Sequence, residues 1–232
     1  MILKKWENLP TEMKNNDVKK YYEILSQRKI SLLLRRLVDF LLALILIIFL
    51  SPIMIVIAFI IKIDSKGPIL YRQERVTAYN QTFKICKFRT MVTNADKIGA
   101  LVTSNGDSRI TRIGKIIRKT RIDEIPQLFN IIKGEMSFVG TRPEVKSYVD
   151  QYSDEMMATL LLPAGITSLA SIKFKDEDQI IDEYIATEES IDSIYIQRIL
   201  PIKMQYNLKE LSDIGLLYSF KIMIQTFFTV LK

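Results

Sequence analysis

Between Arg118 and Glu144 the chain reads RKTRIDEIPQLFNIIKGEMSFVGTRPE, and this stretch holds the residues best suited to chemistry. Two adjacent acids, Asp123 and Glu124, follow Arg109, Arg112, Lys115, Arg118, Lys119 and Arg121, and Arg142 comes after them in a Gly-Thr-Arg-Pro turn. An arginine fork grips phosphate oxygens two at a time. A carboxylate can attack phosphorus, but its charge must be neutralised before it approaches a pyrophosphate. Mg²⁺ suits that task, because it takes few carboxylates and keeps several waters and substrate phosphates. An isolated Asp-Glu-x-Pro would read as ordinary helix-start acids, and Arg112, Lys115 and Lys119 read as solvated surface charge. The acids, the clustered cations and the restricted Arg142 turn point together to phosphate chemistry.

What is missing narrows the choice. The chain has no histidine, which excludes histidine bases, histidine metal ligands and Ser-His or Cys-His nucleophilic pairs. Cys86 is the single cysteine, expected in a strand, so no intramolecular disulfide forms and a reducing compartment is permitted. Net charge is +7, yet Asp176 to Asp192 holds eight acids and no base, leaving +15 (7 plus 8) on the remainder. Such a surface attracts phosphate-bearing substrates. It also attracts anionic membrane lipids, by about 1 kcal/mol per basic residue near the headgroups. No nucleic-acid motif is present, so a nucleic-acid partner is not expected.

The positioning elements begin with an apolar run. Phe40 to Ile61 is 22 residues, interrupted by Ser51-Pro52; as a helix it measures about 33 Å, enough to cross a bilayer core. It starts too late and is too long for a signal-peptide core. Pro52 removes the hydrogen bond to the Ile48 carbonyl, and Ser51 can ease a bend. A kinked spanning helix fits, but both flanks are basic: Lys20, Arg28, Lys29, Arg35 and Arg36 before, Lys62, Lys66, Arg72 and Arg75 after. The positive-inside rule then gives no outer end. A re-entrant helix-break-helix with both ends on one face resolves the conflict and is the favoured reading. Arg36 and Asp39 share a helical face and are expected to pair at the interface, beside Arg35.

After Gly67-Pro68, PILYRQERV and QTFKICKFRTM read as a β-hairpin joined by TAYN. The pattern predicts a loop over 95–107, an amphipathic helix over 110–119 and a helix from Asp123 to Ile132 ending at Gly134. Further helices are expected over 17–26, 143–152, 154–161, 176–187 and 189–207, with ITSLASIKF as a short strand. A last apolar run after Ser212-Asp213 reads equally as an interfacial or a core-packing helix. The expected fold is α+β and mostly helical: a polar segment over 1–33, a membrane element over 34–62 and a compact catalytic domain over 63–232 with a small antiparallel hairpin.

At these motifs the chain resembles the bacterial sugar transferases, the small monotopic phosphoglycosyl transferases. The matching marks are Arg35-Arg36-Leu37-Val38-Asp39, Ser51-Pro52, LYRQERV, FKICKFRTM and Arg118, then Ile122 to Asn130, Lys133 to Ser137 and Gly140-Thr141-Arg142-Pro143. The match is close over residues 31 to 171. The resemblance implies transfer of a sugar-1-phosphate from a UDP-sugar to undecaprenyl phosphate with release of UMP. It implies Asp123 as nucleophile and Mg²⁺ ligand, with Mn²⁺ as a substitute ion. Glu124 would be its partner in positioning, metal binding or proton handling, Arg118 and Arg142 the phosphate holders, and Ser51-Pro52 the re-entrant break. It places the protein at the bacterial inner membrane with the catalytic domain on the cytoplasmic face, and is compatible with a homodimer. Some members carry Pro-Arg-Pro where this chain has Thr141-Arg142-Pro143. The intact Asp123-Glu124 pair weighs against the alternative of a catalytically silent membrane scaffold.

Overall fold

The computed structural model describes residues 3–95, 98, 107–177, 180 and 190–231. Helix α1 (Asn16–Ser26) starts where the Asn15 side chain accepts the Val18 N–H at 2.8 Å, a side-chain N-cap. Its Val18 and Leu25 join Leu9 and Met13 in a core that also takes in Tyr79, Leu161 and Leu208.

Helix α2 (Lys29–Asp64) contains the apolar run. Only 6% of its most apolar 18-residue window is buried, so it is not a soluble core helix. A narrow stripe of Leu32, Arg35, Asp39, Ala43, Ile57 and Ile61 faces protein, while Ile45, Ile48, Phe49, Ile55 and Phe59 are each more than half exposed. The expected break at Ser51-Pro52 is corrected here: the helix runs on through Pro52. Pro52 has no N–H for the Ile48 carbonyl, and the Ser51 hydroxyl donates to that carbonyl instead, at 2.9 Å.

Both ends of α2 are tied to the same body. Near its start, Arg35 donates to the Val139 carbonyl, Arg36 donates to the Ile131 carbonyl at 2.7 Å, and Ser137 donates to Asp39 at 2.6 Å. Arg35 and Asp39 are therefore buried in the joint between helix and domain. Near its end, Ile57 and Ile61 pack on Phe88 and Ile117, and Arg89 donates to the Ser65 and Lys66 carbonyls at 2.6 and 3.1 Å.

The hairpin forms as expected. Strands β1 (Leu70–Thr77) and β2 (Gln81–Phe88) pair antiparallel from Leu70↔Phe88 to Thr77↔Gln81, with Cys86 buried. Helix α3 (Arg112–Lys119) follows. The helix expected from Asp123 begins as a 3-10 turn, Ile122–Gln127, and becomes regular only in α4 (Leu128–Lys133) before Gly134 at φ 84°. Arg121 takes φ 56°, and the Glu124 N–H reaches back only three residues, to the Arg121 carbonyl at 3.1 Å, which tightens the turn. Asn130 clamps this unit to the hairpin: its Oδ1 accepts the Cys86 N–H at 2.9 Å and its Nδ2 donates to the Lys84 carbonyl at 2.9 Å.

Two short parallel strands, β3 (Met136–Val139) and β4 (Ala164–Thr167), pair Met136 with Ala164 and Val139 with Thr167. Between them lie α5 (Lys146–Val149) and a 3-10 turn, Met156–Leu161. The strand expected over ITSLASIKF keeps only its first two residues. The Ser168 hydroxyl then accepts the Ser171 N–H at 3.0 Å and starts α6 (Leu169–Lys173). The helix expected over 176–187 falls mostly outside the described residues. Helix α7 (Ile191–Ile194) widens into a π turn at Tyr195–Ile199, then continues as α8 (Leu200–Asp213). Pro201 cannot donate to the turn before it, which favours that widening. The C-terminal run is α9 (Leu216–Leu231).

One backbone crossing sets the turn that carries Arg142. Gly140 sits at φ +152°, its N–H donates to the Thr167 carbonyl at 2.9 Å, and the Gly165 N–H donates to the Thr141 carbonyl at 2.9 Å. A Cβ on Gly165 would lie 2.3 Å from the Gly140 backbone. Gly165→Ala is therefore expected to destabilise the fold by about 2 kcal/mol. Thermal unfolding of the purified protein should show a midpoint lower by about 5 °C; an unchanged midpoint would mean that the crossing is not tight.

Candidate active site

Four elements converge on the acidic pair. The 3-10 turn presents Asp123 and Glu124, both buried. Strand β2 contributes Lys87, whose Nζ lies 2.9 Å from Glu124 Oε1. The Gly140 turn contributes Arg142, whose Nη2 lies 3.0 Å from the same oxygen. Arg118, from the end of α3, and Arg121 stand close enough to stabilise the Asp123 carboxylate. Two carboxylates thus sit among four cations, leaving local positive charge for an incoming anion.

The two acids are not equivalent. Burial disfavours the Glu124 carboxylate, but Lys87 and Arg142 outweigh it and hold its pKa well below the usual carboxylate range. Burial pushes the Asp123 carboxyl up, opposed by Lys87 and reinforced by the Glu124 charge. Burial also lowers the Lys87 pKa against the pull of Glu124, while Glu124 raises that of Arg142. Glu124 is therefore the fixed anion that orders two cations, and its Oε1 is already engaged. Asp123 Oδ1 is buried without a hydrogen-bond partner. Unlike Glu124 Oε1, it is not tied to a neighbouring cation.

Among the described residues no three Asp, Glu or Cys side chains gather as a ready-made cation cage. A divalent ion here would take one protein carboxylate, Asp123, and complete its shell from substrate phosphates and water, which is how Mg²⁺ is commonly held. The unpartnered Oδ1 fits that arrangement.

The pair lines a cleft of about 1190 Å³. Its polar side continues from Arg142 into residues that the sequence reading missed. Arg75 donates to the Pro143 carbonyl at 3.2 Å and lies 3.8 Å from Glu144. Tyr195 donates to Glu144, and Lys203 donates to Tyr195 at 2.8 Å and pairs with Glu177 at 2.9 Å. Gln127, a further lining residue, has a buried Nε2 without a partner. Lys87 had little sequence signal, being one of two lysines in the strand QTFKICKF. Glu144 and Lys203 had none, because 59 residues separate them. Of the anticipated residues, Asp123, Glu124, Arg118 and Arg142 share the cleft. Arg36 and Asp39, expected as a pair, turn to the Ile131 carbonyl and to Ser137 respectively, and Ser51 and Pro52 remain helical.

Residues 30–232 match the family model described as bacterial sugar transferase. The chain belongs to the bacterial sugar transferase family. A UDP-N-acetylgalactosamine-undecaprenyl-phosphate N-acetylgalactosaminephosphotransferase of Aeromonas hydrophila is 44% identical over 142 residues, 60% of this chain and 34% of that protein. A UDP-glucose:undecaprenyl-phosphate glucose-1-phosphate transferase of Klebsiella pneumoniae is 38% identical over 148 residues, 62% of this chain and 31% of that protein. The exopolysaccharide production protein ExoY of Sinorhizobium fredii is 34% identical over 178 residues, 70% of this chain and 76% of that protein. The match thus spans only about a third of the first two relatives (34% and 31%).

Removing Glu124 from this family member's site should leave Lys87 charged, buried and without its anion. Glu124→Gln is expected to destabilise by about 3 kcal/mol, and adding Lys87→Met should restore part of the loss in a double-mutant cycle of chemical denaturation. The pH dependence has a definite sign. A depressed folded-state pKa gives stability that is present above the unfolded value of about 4.3 and is lost as pH falls further. Glu124→Gln should therefore flatten the loss of stability below pH of about 4.3; an unchanged acid limb would show that the carboxylate is not held this way.

Proposed function

We propose that the protein is a phosphoglycosyl transferase that moves a sugar-1-phosphate from a UDP-sugar to undecaprenyl phosphate and releases UMP. Asp123 attacks the β-phosphorus of the donor, forming an aspartyl–phosphorus bond as the bond to the bridging oxygen of UMP breaks. The lipid phosphate oxygen then attacks the same phosphorus and frees the Asp123 oxygen. Splitting one transfer into two lets a water-borne donor and an embedded acceptor use one site in turn. The observation that carries this reading is the asymmetry of the pair: Glu124 is locked between Lys87 and Arg142, while Asp123 Oδ1 has no hydrogen-bond partner.

The roles of the other residues follow from their charge. Arg142 and Lys87, ordered by Glu124, hold the phosphate oxygens, and Arg118 and Arg121 favour the ionised form of Asp123. Glu124 acts here by position rather than by proton transfer, since Lys87 and Arg142 keep it ionised. Mg²⁺, held by Asp123, would supply charge neutralisation between carboxylate and diphosphate. The donor sugar and the glycan pathway stay open; the relatives' names include N-acetylgalactosamine, glucose and exopolysaccharide production.

We place the protein at the bacterial inner membrane, entering from the cytoplasmic face without crossing. Two observations support that reading. The exposed face of α2 is apolar along its length, and both ends of the helix are tied to one body by Arg36 and Arg89. A helix so tied favours both ends on one side of a bilayer.

Asp123→Asn keeps the shape and removes the nucleophilic oxygen. It is expected to cut UMP release from a UDP-sugar, with undecaprenyl phosphate and Mg²⁺ present, by about a thousandfold or more; near wild-type turnover would remove the nucleophile assignment. For topology, single cysteines placed at Ile30 and at Ile63 in a Cys86→Ala background should both react with an impermeant maleimide only in inverted vesicles. Labelling of either one from the periplasmic side would defeat the monotopic arrangement.

A further inference from the structure

One side chain of the acidic turn has no part in the chemistry above. Gln127 closes the 3-10 turn Ile122–Gln127 that carries Asp123, and it is only 1% exposed. It stands at the N-cap of α4, yet its side chain caps nothing. Its Nε2 is buried and, among the described residues, has no hydrogen-bond acceptor. A buried amide donor left unpaired costs stability, and native folds rarely keep one without a use.

A second buried atom without a partner lies on the same turn and is of the opposite kind. Asp123 Oδ1 is an acceptor with no donor, and both residues line the same cleft. A donor and an acceptor so close in the chain could satisfy each other, and here they do not. Whatever satisfies both must come between them, offering an acceptor to Nε2 and a positive centre to Oδ1. A phosphoryl group does so: its phosphorus meets the carboxylate, and a non-bridging oxygen accepts from the amide. The charged donors nearby are engaged at rest, Lys87 and Arg142 on Glu124 and Arg75 on the Pro143 carbonyl. Gln127 Nε2 is uncommitted. Being neutral, it can bind the phosphoryl oxygen without forming an ion pair with the attacking carboxylate, as a further cation would.

We infer that Gln127 is a catalytic residue whose Nε2 donates to a non-bridging oxygen of the phosphoryl group as it passes to and from Asp123. The amide gives up no proton. The bond from Asp123 to phosphorus forms as the bond to the bridging oxygen of UMP breaks, and the same amide holds the same oxygen when the acceptor attacks. A donor fixed in advance by burial stabilises charge that develops there in each step. The role rests on the transferase reading above and adds to it the group that orients the transferred phosphoryl.

The test follows the burst of UMP by rapid quench, with the full chain, Mg²⁺, a UDP-sugar that the wild type accepts and no lipid acceptor. Gln127→Met keeps most of the volume and removes the donor. Its burst rate at saturating donor is expected to fall about a hundredfold. Its affinity for UMP, which lacks the transferred phosphorus, should stay within twofold. Its unfolding midpoint should be equal or higher, because an unpaired donor is gone. Gln127→Glu keeps the shape and sets an anion against the phosphoryl oxygen, so its burst should slow at least as much. A burst within threefold of wild type in either variant would mean that no more than water occupies the gap, and overturns the role. A Gln127→Met midpoint lower by more than 5 °C would reveal a structural tie, and UMP affinity falling in step with the rate would put Nε2 on the nucleotide; either result also overturns it. Absence of any burst from the wild type with every UDP-sugar would instead remove the transferase reading, and this role with it.

Discussion

Two carboxylates adjacent in sequence cannot both be buried as anions unless cations are brought to them, and the rest of this site is arranged to meet that constraint. Lys87 comes from a hairpin strand, Arg142 from a glycine-bounded turn, and both close on one oxygen of Glu124. Asn130 fixes the distance between hairpin and acidic turn by completing hydrogen bonds of β2. The Gly140–Gly165 crossing fixes the direction from which Arg142 arrives. Like-charge repulsion within the pair is thereby converted into a difference: one acid is locked, and the other keeps an oxygen for chemistry.

The same economy governs the long helix. An apolar helix with an unsatisfied carbonyl at its centre would favour a break, and the Ser51 hydroxyl removes that pressure by taking the Ile48 carbonyl. What keeps the helix on one body is polar. Arg35 and Arg36 reach carbonyls of the domain from one end, and Arg89 reaches back to the carbonyls after the other. In a non-aqueous surrounding such charge-assisted hydrogen bonds gain strength, because water no longer competes for them. The helix is thus held to the domain along one stripe and leaves its other faces apolar and exposed.

Site and helix meet in one cleft with two characters, a cationic floor around Glu124 and an apolar wall between α2 and α9. The proposed two-step transfer uses that division. A phosphosugar carried on Asp123 can be delivered from the aqueous side and collected from the lipid side, so the two substrates need not occupy the cleft together.

The chain's own residue order determined a good deal. The absence of histidine left carboxylates, Lys, Tyr and Arg for any acid-base or metal chemistry, and the LYRQERV and FKICKFRTM runs marked the hairpin, because alternation of side chains is a local property. The length and apolarity of residues 40–61 marked the long apolar helix for the same reason. Asp123, Glu124, Arg118 and Arg142 were legible because charge clustering in so short a stretch is itself a local signal. Tertiary structure alone decided the rest. It chose Lys87 as the partner of Glu124, assembled Glu144, Tyr195 and Lys203, turned Asp39 towards Ser137, and paired β3 with β4. It also gave α9 a cleft-facing side, where the sequence weighed an interfacial and a core helix equally. Each of these depends on contacts between segments tens of residues apart, whose energies have no trace in local periodicity. The continuity of α2 through Pro52, with the Ser51 hydroxyl on the Ile48 carbonyl, is likewise a matter of geometry and not of composition.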